Sequence, residues 1–134
     1  NVLVIDAGTC LKYNFTSSKN NYLGGGISPG IQMKFKALSE FTSKLPLVKP
    51  DFLNTVDLVG NTTQNSILSG VLNGSIAEID GTIDGYKQQF DNLICVLTGG
   101  DSEYLAKRLK NAIFAHQNLV LKGLNDILIY NSEH

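Results

Sequence analysis

Arginine is almost missing from this sequence: Arg108 stands alone among 11 basic residues, set against 12 acidic ones for a net charge of −1. No basic stripe with interleaved aromatics stands out, so no nucleic-acid partner is expected. A reader of bases carries more arginine than this. Long apolar runs are also lacking, with none near the roughly 18 to 20 residues that span a bilayer. Nor does the chain open with a charged segment and a signal-peptide core. No membrane partner and a cytoplasmic location are the resulting expectations. Cysteine is scarce, and Cys10 and Cys95 lack metal-ligand spacing, so both read as reduced, packed thiols. The two histidines are too isolated for a metal site or a Ser-His-Asp triad: His116 reads as a strand-end residue and His134 as a tail residue. What remains is ordinary for a globular domain. With 43% hydrophobic and 17% charged residues, 134 residues suffice for one domain with a sizeable core.

The chain opens on Asn1-Val2-Leu3-Val4-Ile5, an apolar run ended by Asp6-Ala7-Gly8-Thr9, which reads as a strand buried on both faces. A core strand at residue 1 raises the expectation that a preceding part of the molecule is absent. Leu11 to Phe15 alternates as a half-exposed strand does, and Tyr22-Leu23 starts a third strand that runs into Gly24-Gly25-Gly26. Three antiparallel strands are therefore expected first. From Gly30 the period changes: Ile31, Phe35, Leu38, Phe41 and Leu45 share a helical face, which Pro46 ends. Leu47 to Leu58 reads as a loop or a short strand. Gly60-Asn61-Thr62-Thr63 signals the cap of a long helix whose core face is Ile67, Val71, Ile79, Ile83, Tyr86 and Phe90. Gly70, Gly74, Ala77, Gly81 and Gly85 form a second stripe on it, implying either close approach of another backbone or a break near Gly81. A strand at Leu93–Leu97, a helix at Ser102–Lys110, a brief strand at Ala112–Ala115 and a helix at Leu119–Tyr130 bring the total to five strands and four helices, an elaborated βββαβαβα pattern.

Three junctions carry possible chemistry. Asp6-x-Gly8-Thr9 places a carboxylate at a strand end, where α/β ligand sites form, followed by a glycine turn that lets backbone approach a phosphate. Alternatively it is a plain hairpin turn. Gly24 to Gly30 reads as a strand-to-helix connection with open backbone donors, or as a tight connection with no ligand. Thr98-Gly99-Gly100-Asp101 repeats the logic, unless Asp101 is simply an N-cap. Together the three point to one anionic ligand, a nucleotide. There is no G-x-x-x-x-G-K-[ST] loop and no G-x-G-x-x-G fingerprint. Asp80 and Asp84, one helical turn apart, read as a solvated face, as do Glu103, Lys107, Arg108 and Lys110.

The stretches DAGT, GGGISPG, KLPLV, GNTTQNSILSG, LTGGD and NLVLKGL, in this order, resemble the C-terminal half of type III pantothenate kinases. That family includes the Bvg accessory factor-like proteins and falls in the acetate and sugar kinase, Hsp70 and actin superfamily. The resemblance covers nearly all of the chain. It implies an α/β, ribonuclease H-like (actin-like ATPase) domain with a mixed sheet flanked by helices. Residues 1–134 would form this single domain, the second half of a two-domain kinase. The family's D-x-G-N-[TS] phosphate loop and the G-x-D-R segment that carries its general base do not occur here, so no catalytic base is expected in this chain. The implied activity is ATP-dependent phosphorylation of pantothenate, with Mg²⁺ and a monovalent cation (K⁺ or NH₄⁺), in a homodimer. A non-catalytic nucleotide-binding regulator is the alternative. By the same resemblance, Gly8, Thr9, Thr98, Gly99 and Gly100 would contact ATP, Thr63 pantothenate, and Asp6 the monovalent cation. Where the family usually reads G-T-A-x-T-x-D, this chain has Lys12 for a hydroxyl and Asn14 for a carboxylate, which bears on the choice of cation.

Overall fold

Alternation of period two builds the sheet. A computed structural model describes residues 1–133, so the tail position read for His134 lies outside the described residues. β1 (Val2–Ala7), β2 (Cys10–Thr16) and β3 (Tyr22–Pro29) form the expected antiparallel meander. β4 (Ile94–Thr98) runs parallel to β1, and β5 (Phe114–Ala115) parallel to β4, giving a mixed sheet in the order β3-β2-β1-β4-β5. Leu3, Ile5 and Ala7 are fully buried, while Val2, Val4 and Asp6 are only half-buried. Burial of β1 on both faces is therefore corrected to burial on one. β-branched residues also suit a half-covered pleated surface, so the apolar run alone does not separate the two cases.

Gly24 to Gly26 lie inside β3, not in a strand-to-helix connection, and only Gly30 stands at the start of α1 (Ile31–Glu40). Hydrogen bonding along β2, with Tyr13 opposite Gly26 and Asn14 opposite Gly25, outweighs the weak strand preference of glycine. α1 buries Ile31 and Phe35 but ends at Glu40, short of the expected Leu45, and Phe41 just beyond it is 86% exposed. No strand interrupts residues 41–62, so two helices follow one another directly.

α2 (Thr63–Gln89) begins where Thr62 Oγ1 accepts from Asn65 N at 3.1 Å. It runs unbroken through Gly81. Ile67, Val71, Leu72, Ile79 and Ile83 enter the core, and Tyr86 and Phe90 gather around the Phe15 ring at 5.4 and 4.2 Å. Gly70, Gly74, Gly81 and Gly85 face open space. α3 (Ser102–Ala106) is shorter than the expected Ser102–Lys110, and α4 (Leu119–Glu133) buries none of its residues. Both cysteines are free, and burial pushes the Cys95 thiol up. Among the described residues no helix is long and apolar enough to cross a membrane.

Asp80 is not part of a solvated face. It is buried on α2, where its carboxylate accepts from the amides of Lys110 and Asn111 and from Asn111 Nδ2, all near 3.0 Å. Asn111 Nδ2 also donates to Asp84, so both carboxylates fasten the connection between α3 and β5. Burial raises the Asp80 pKa, but these donors outweigh it and leave the carboxyl below its ordinary value.

Candidate functional site

β1 and β4 are parallel, so the turns that follow them emerge at the same edge of the sheet, where ligand sites of α/β proteins form. The turn Gly8–Thr9 is wedged between two other backbones. Ala7 O accepts from Asp101 N at 3.0 Å on one side, and Thr9 O accepts from Gly30 N at 3.0 Å on the other. A Cβ on Gly99 would collide with the Ala7 carbonyl, and one on Gly30 with the carbonyls of Gly8 and Thr9. Gly99 also adopts φ +96°, a conformation other residues seldom hold. The three glycine-bearing junctions of the sequence thus converge, as their chemistry suggests. Their glycines serve the close approach itself: the amides of Gly8 and Gly30 are already bonded to carbonyls rather than open to a ligand.

What faces outward is a cleft of about 330 Å³ lined by Gly8, Thr9, Gln32, Met33, Lys36 and Asp101. Thr9 and Lys36, both exposed, border it together with the first turn of α1, whose amides take no side-chain cap. A helix N-terminus and an amine attract anions, and phosphate oxygens fit such donors. Asp101 offers no capping hydrogen bond to α3, and burial pushes its carboxyl pKa up.

The other expected site residues are placed as follows. Thr98 is fully buried level with Asp6, and its hydroxyl donates to Gln117 O at 3.2 Å, away from the cleft. Gly100 follows Gly99 but lines a neighbouring hollow beside Tyr104 and Arg108. Thr63 is exposed at the first position of α2 and does not line the Thr9 cleft. Asp6 is half-buried at the end of β1, and its Oδ2 accepts from Lys12 Nζ at 2.9 Å. That contact, with its charge attraction, raises the Lys12 pKa.

Two features escaped the sequence reading. Lys36 follows Gly30 by six positions, and its amphipathic helix gives the only signal that it reaches the cleft. Beside the cleft-forming elements, Lys34 Nζ lies 3.0 Å from Ser75 Oγ and pairs with Glu78, to which the Ser28 hydroxyl also donates. This half-buried polar contact ties α1 and β3 to α2. Next to it the Tyr13 hydroxyl is buried without a partner in bonding geometry, and burial, with the Glu78 charge, pushes its pKa up to about 12.

The sequence model of the family described as type III pantothenate kinase matches residues 1–85. A type III pantothenate kinase of Christiangramia forsetii is 50% identical over 131 residues, covering 98% of this chain and 53% of that protein. One from Flavobacterium johnsoniae is 48% identical over 134 residues, covering 100% and 54%. Among solved structures, a Campylobacter jejuni protein described as a Baf family transcriptional activator superposes with a TM-score of 0.70 at 25% identity, over all of this chain and 60% of that one. The chain spans about half the length of the curated relatives it matches. Matched by the family model over more than half its residues, with an actin-like ATPase domain fold, the chain belongs to the type III pantothenate kinase family.

Proposed function

We propose that this domain is the second half of a two-domain kinase that transfers the γ-phosphate of ATP to the primary hydroxyl of pantothenate, giving 4'-phosphopantothenate at the first step of coenzyme A synthesis. The wedged Gly8–Thr9 turn, with the N-terminus of α1 and Lys36 around one cleft, is the observation that carries the reading. ATP phosphate oxygens accept from the Thr9 hydroxyl and the first amides of α1, while Lys36 supplies positive charge. Mg²⁺ accompanies the nucleotide and neutralises phosphate charge. Phosphoryl transfer of this kind depends on positioning and electrostatics more than on covalent chemistry. Thr63 contacts pantothenate, Gly99 and Gly100 border the nucleotide, and the general base comes from outside these residues. The monovalent cation expected at Asp6 meets a competitor there, the Lys12 ammonium.

The open glycine stripe of α2 supports a homodimer in which a partner helix approaches closely. Replacing Gly74 or Gly81 with leucine is expected to weaken that dimer in sedimentation experiments at low concentration. If both variants sediment as the native dimer does, the stripe has another role. A second reading, a non-catalytic nucleotide-binding regulator, is favoured by the description of the Campylobacter protein. ADP release by the full-length protein, with and without pantothenate, separates the two. Release that depends on pantothenate supports the kinase; ATP binding with no release supports the regulator. The isolated 134-residue domain is expected to release no ADP at enzymatic rates.

A further inference from the structure

Asp6 and Lys12 stand directly opposite one another on β1 and β2, an arrangement that brings their side chains together on one face of the sheet. Their contact, at 2.9 Å, lies two residues from the turn that the kinase reading gives to ATP phosphate. Among the described residues no second carboxylate acts on the Lys12 ammonium. Asn14, two positions along the same face, is a neutral amide whose Oδ1 accepts from the Tyr22 hydroxyl at 3.1 Å. The pair is 48% exposed at Lys12 and 20% at Asp6, and ion pairs so exposed contribute little to fold stability. Its value therefore lies in where it puts a charge.

A potassium or ammonium ion binding Asp6 from solution would have to displace an amine that β2 already holds in place. The residues around Asp6 do not fit a free monovalent ion. They fit a tethered one. Lys12 Nζ carries a single positive charge and three donors; one is directed at Asp6, and the others are left for an oxygen anion.

We propose that Lys12 Nζ is a built-in substitute for the monovalent cation at Asp6, so that nucleotide binding and phosphoryl transfer by this protein need no added potassium or ammonium. This inference rests on the kinase reading above. It is tested on the full-length protein as wild type, Lys12→Thr and Lys12→Arg. ADP release is followed in potassium, ammonium or choline chloride at equal ionic strength. Thallium(I) NMR reports a potassium-type site whether or not the protein turns over.

Wild-type rates in potassium and choline should agree within about twofold, whereas Lys12→Thr should fall roughly tenfold or more in choline and recover in potassium, the scale expected for losing one electrostatic contact to the transition state. Only Lys12→Thr should broaden the thallium line, and Lys12→Arg should stay independent of potassium. Strong potassium activation of the wild type overturns the proposal, as does a wild-type protein that binds thallium as tightly as Lys12→Thr. So does a Lys12→Thr protein that works equally well in choline. If no protein releases ADP with pantothenate, the kinase reading fails. The thallium comparison then decides the role of Lys12 alone: a site opened only by Lys12→Thr upholds it, and no difference overturns it.

Discussion

α2 and α4 are both written as amphipathic helices, yet the structure treats them in opposite ways. α2 sends Ile67, Val71, Leu72, Ile79 and Ile83 into the core, and even Ser75 and Asp80 are buried with polar partners. α4 carries Leu121, Leu124, Ile127 and Leu128 at helical spacing, yet each is at least 59% exposed. Apolar periodicity specifies a helix and its face; it does not say what that face meets. For α2 the answer is the sheet of the same domain. For α4 no surface among residues 1–133 supplies it.

The largest effect should come from hollowing the α2 side. Leu72 is fully buried, so Leu72→Ala should lower unfolding stability by about 2–5 kcal/mol in urea titrations, through lost transfer energy and the cavity left behind. A loss near zero would mean that α2 is not packed as described.

A smaller effect is expected from Asp80, the polar counterpart of that packing. Asp80→Asn should cost about 1–3 kcal/mol near neutral pH, because an amide replaces a charged acceptor and the buried donors of Lys110 and Asn111 lose partners. The sign with pH follows from the depressed carboxyl pKa. Its stabilisation is complete above the ordinary 3.8 and is lost as pH falls through the lower folded-state value. The stability gap between wild type and variant should therefore narrow in acid. A gap that stays constant down to the acid transition would show that the carboxylate charge is not what holds the loop.

The smallest effect belongs to α4. Leu124→Ala in the isolated domain should change stability by no more than about 0.5 kcal/mol, as surface substitutions do. A loss like that of Leu72→Ala would bring α4 into the core and erase the contrast.

The same contrast separates what could be read from the sequence and what could not. The meander, β4 and the buried face of α2 follow from local alternation and helical spacing, and Thr62 announced the cap it forms. The convergence of Gly8, Gly30 and Gly99 was foreshadowed by three strand-end junctions, although their glycines turned out to serve backbone contact. Asp80 was misread because its partners lie about thirty positions later in the chain, beyond any helical pattern. Lys12 stood out only as a departure from a family pattern. Its contact with Asp6 appears once the register of β1 against β2 is known. The reach of Lys36 into the cleft depends on how α1 leaves β3, which periodicity does not encode.

The most direct test of the account is the affinity of full-length protein for ATP with Mg²⁺, compared between wild type and Thr9→Ala by titration calorimetry. Thr9 is exposed and its bond to Gly30 is made through the backbone carbonyl, so the fold should be retained. Losing one hydrogen bond to a charged phosphate should weaken ATP binding by roughly tenfold or more. Unchanged affinity would contradict the assignment of the Gly8–Thr9 turn as the phosphate site.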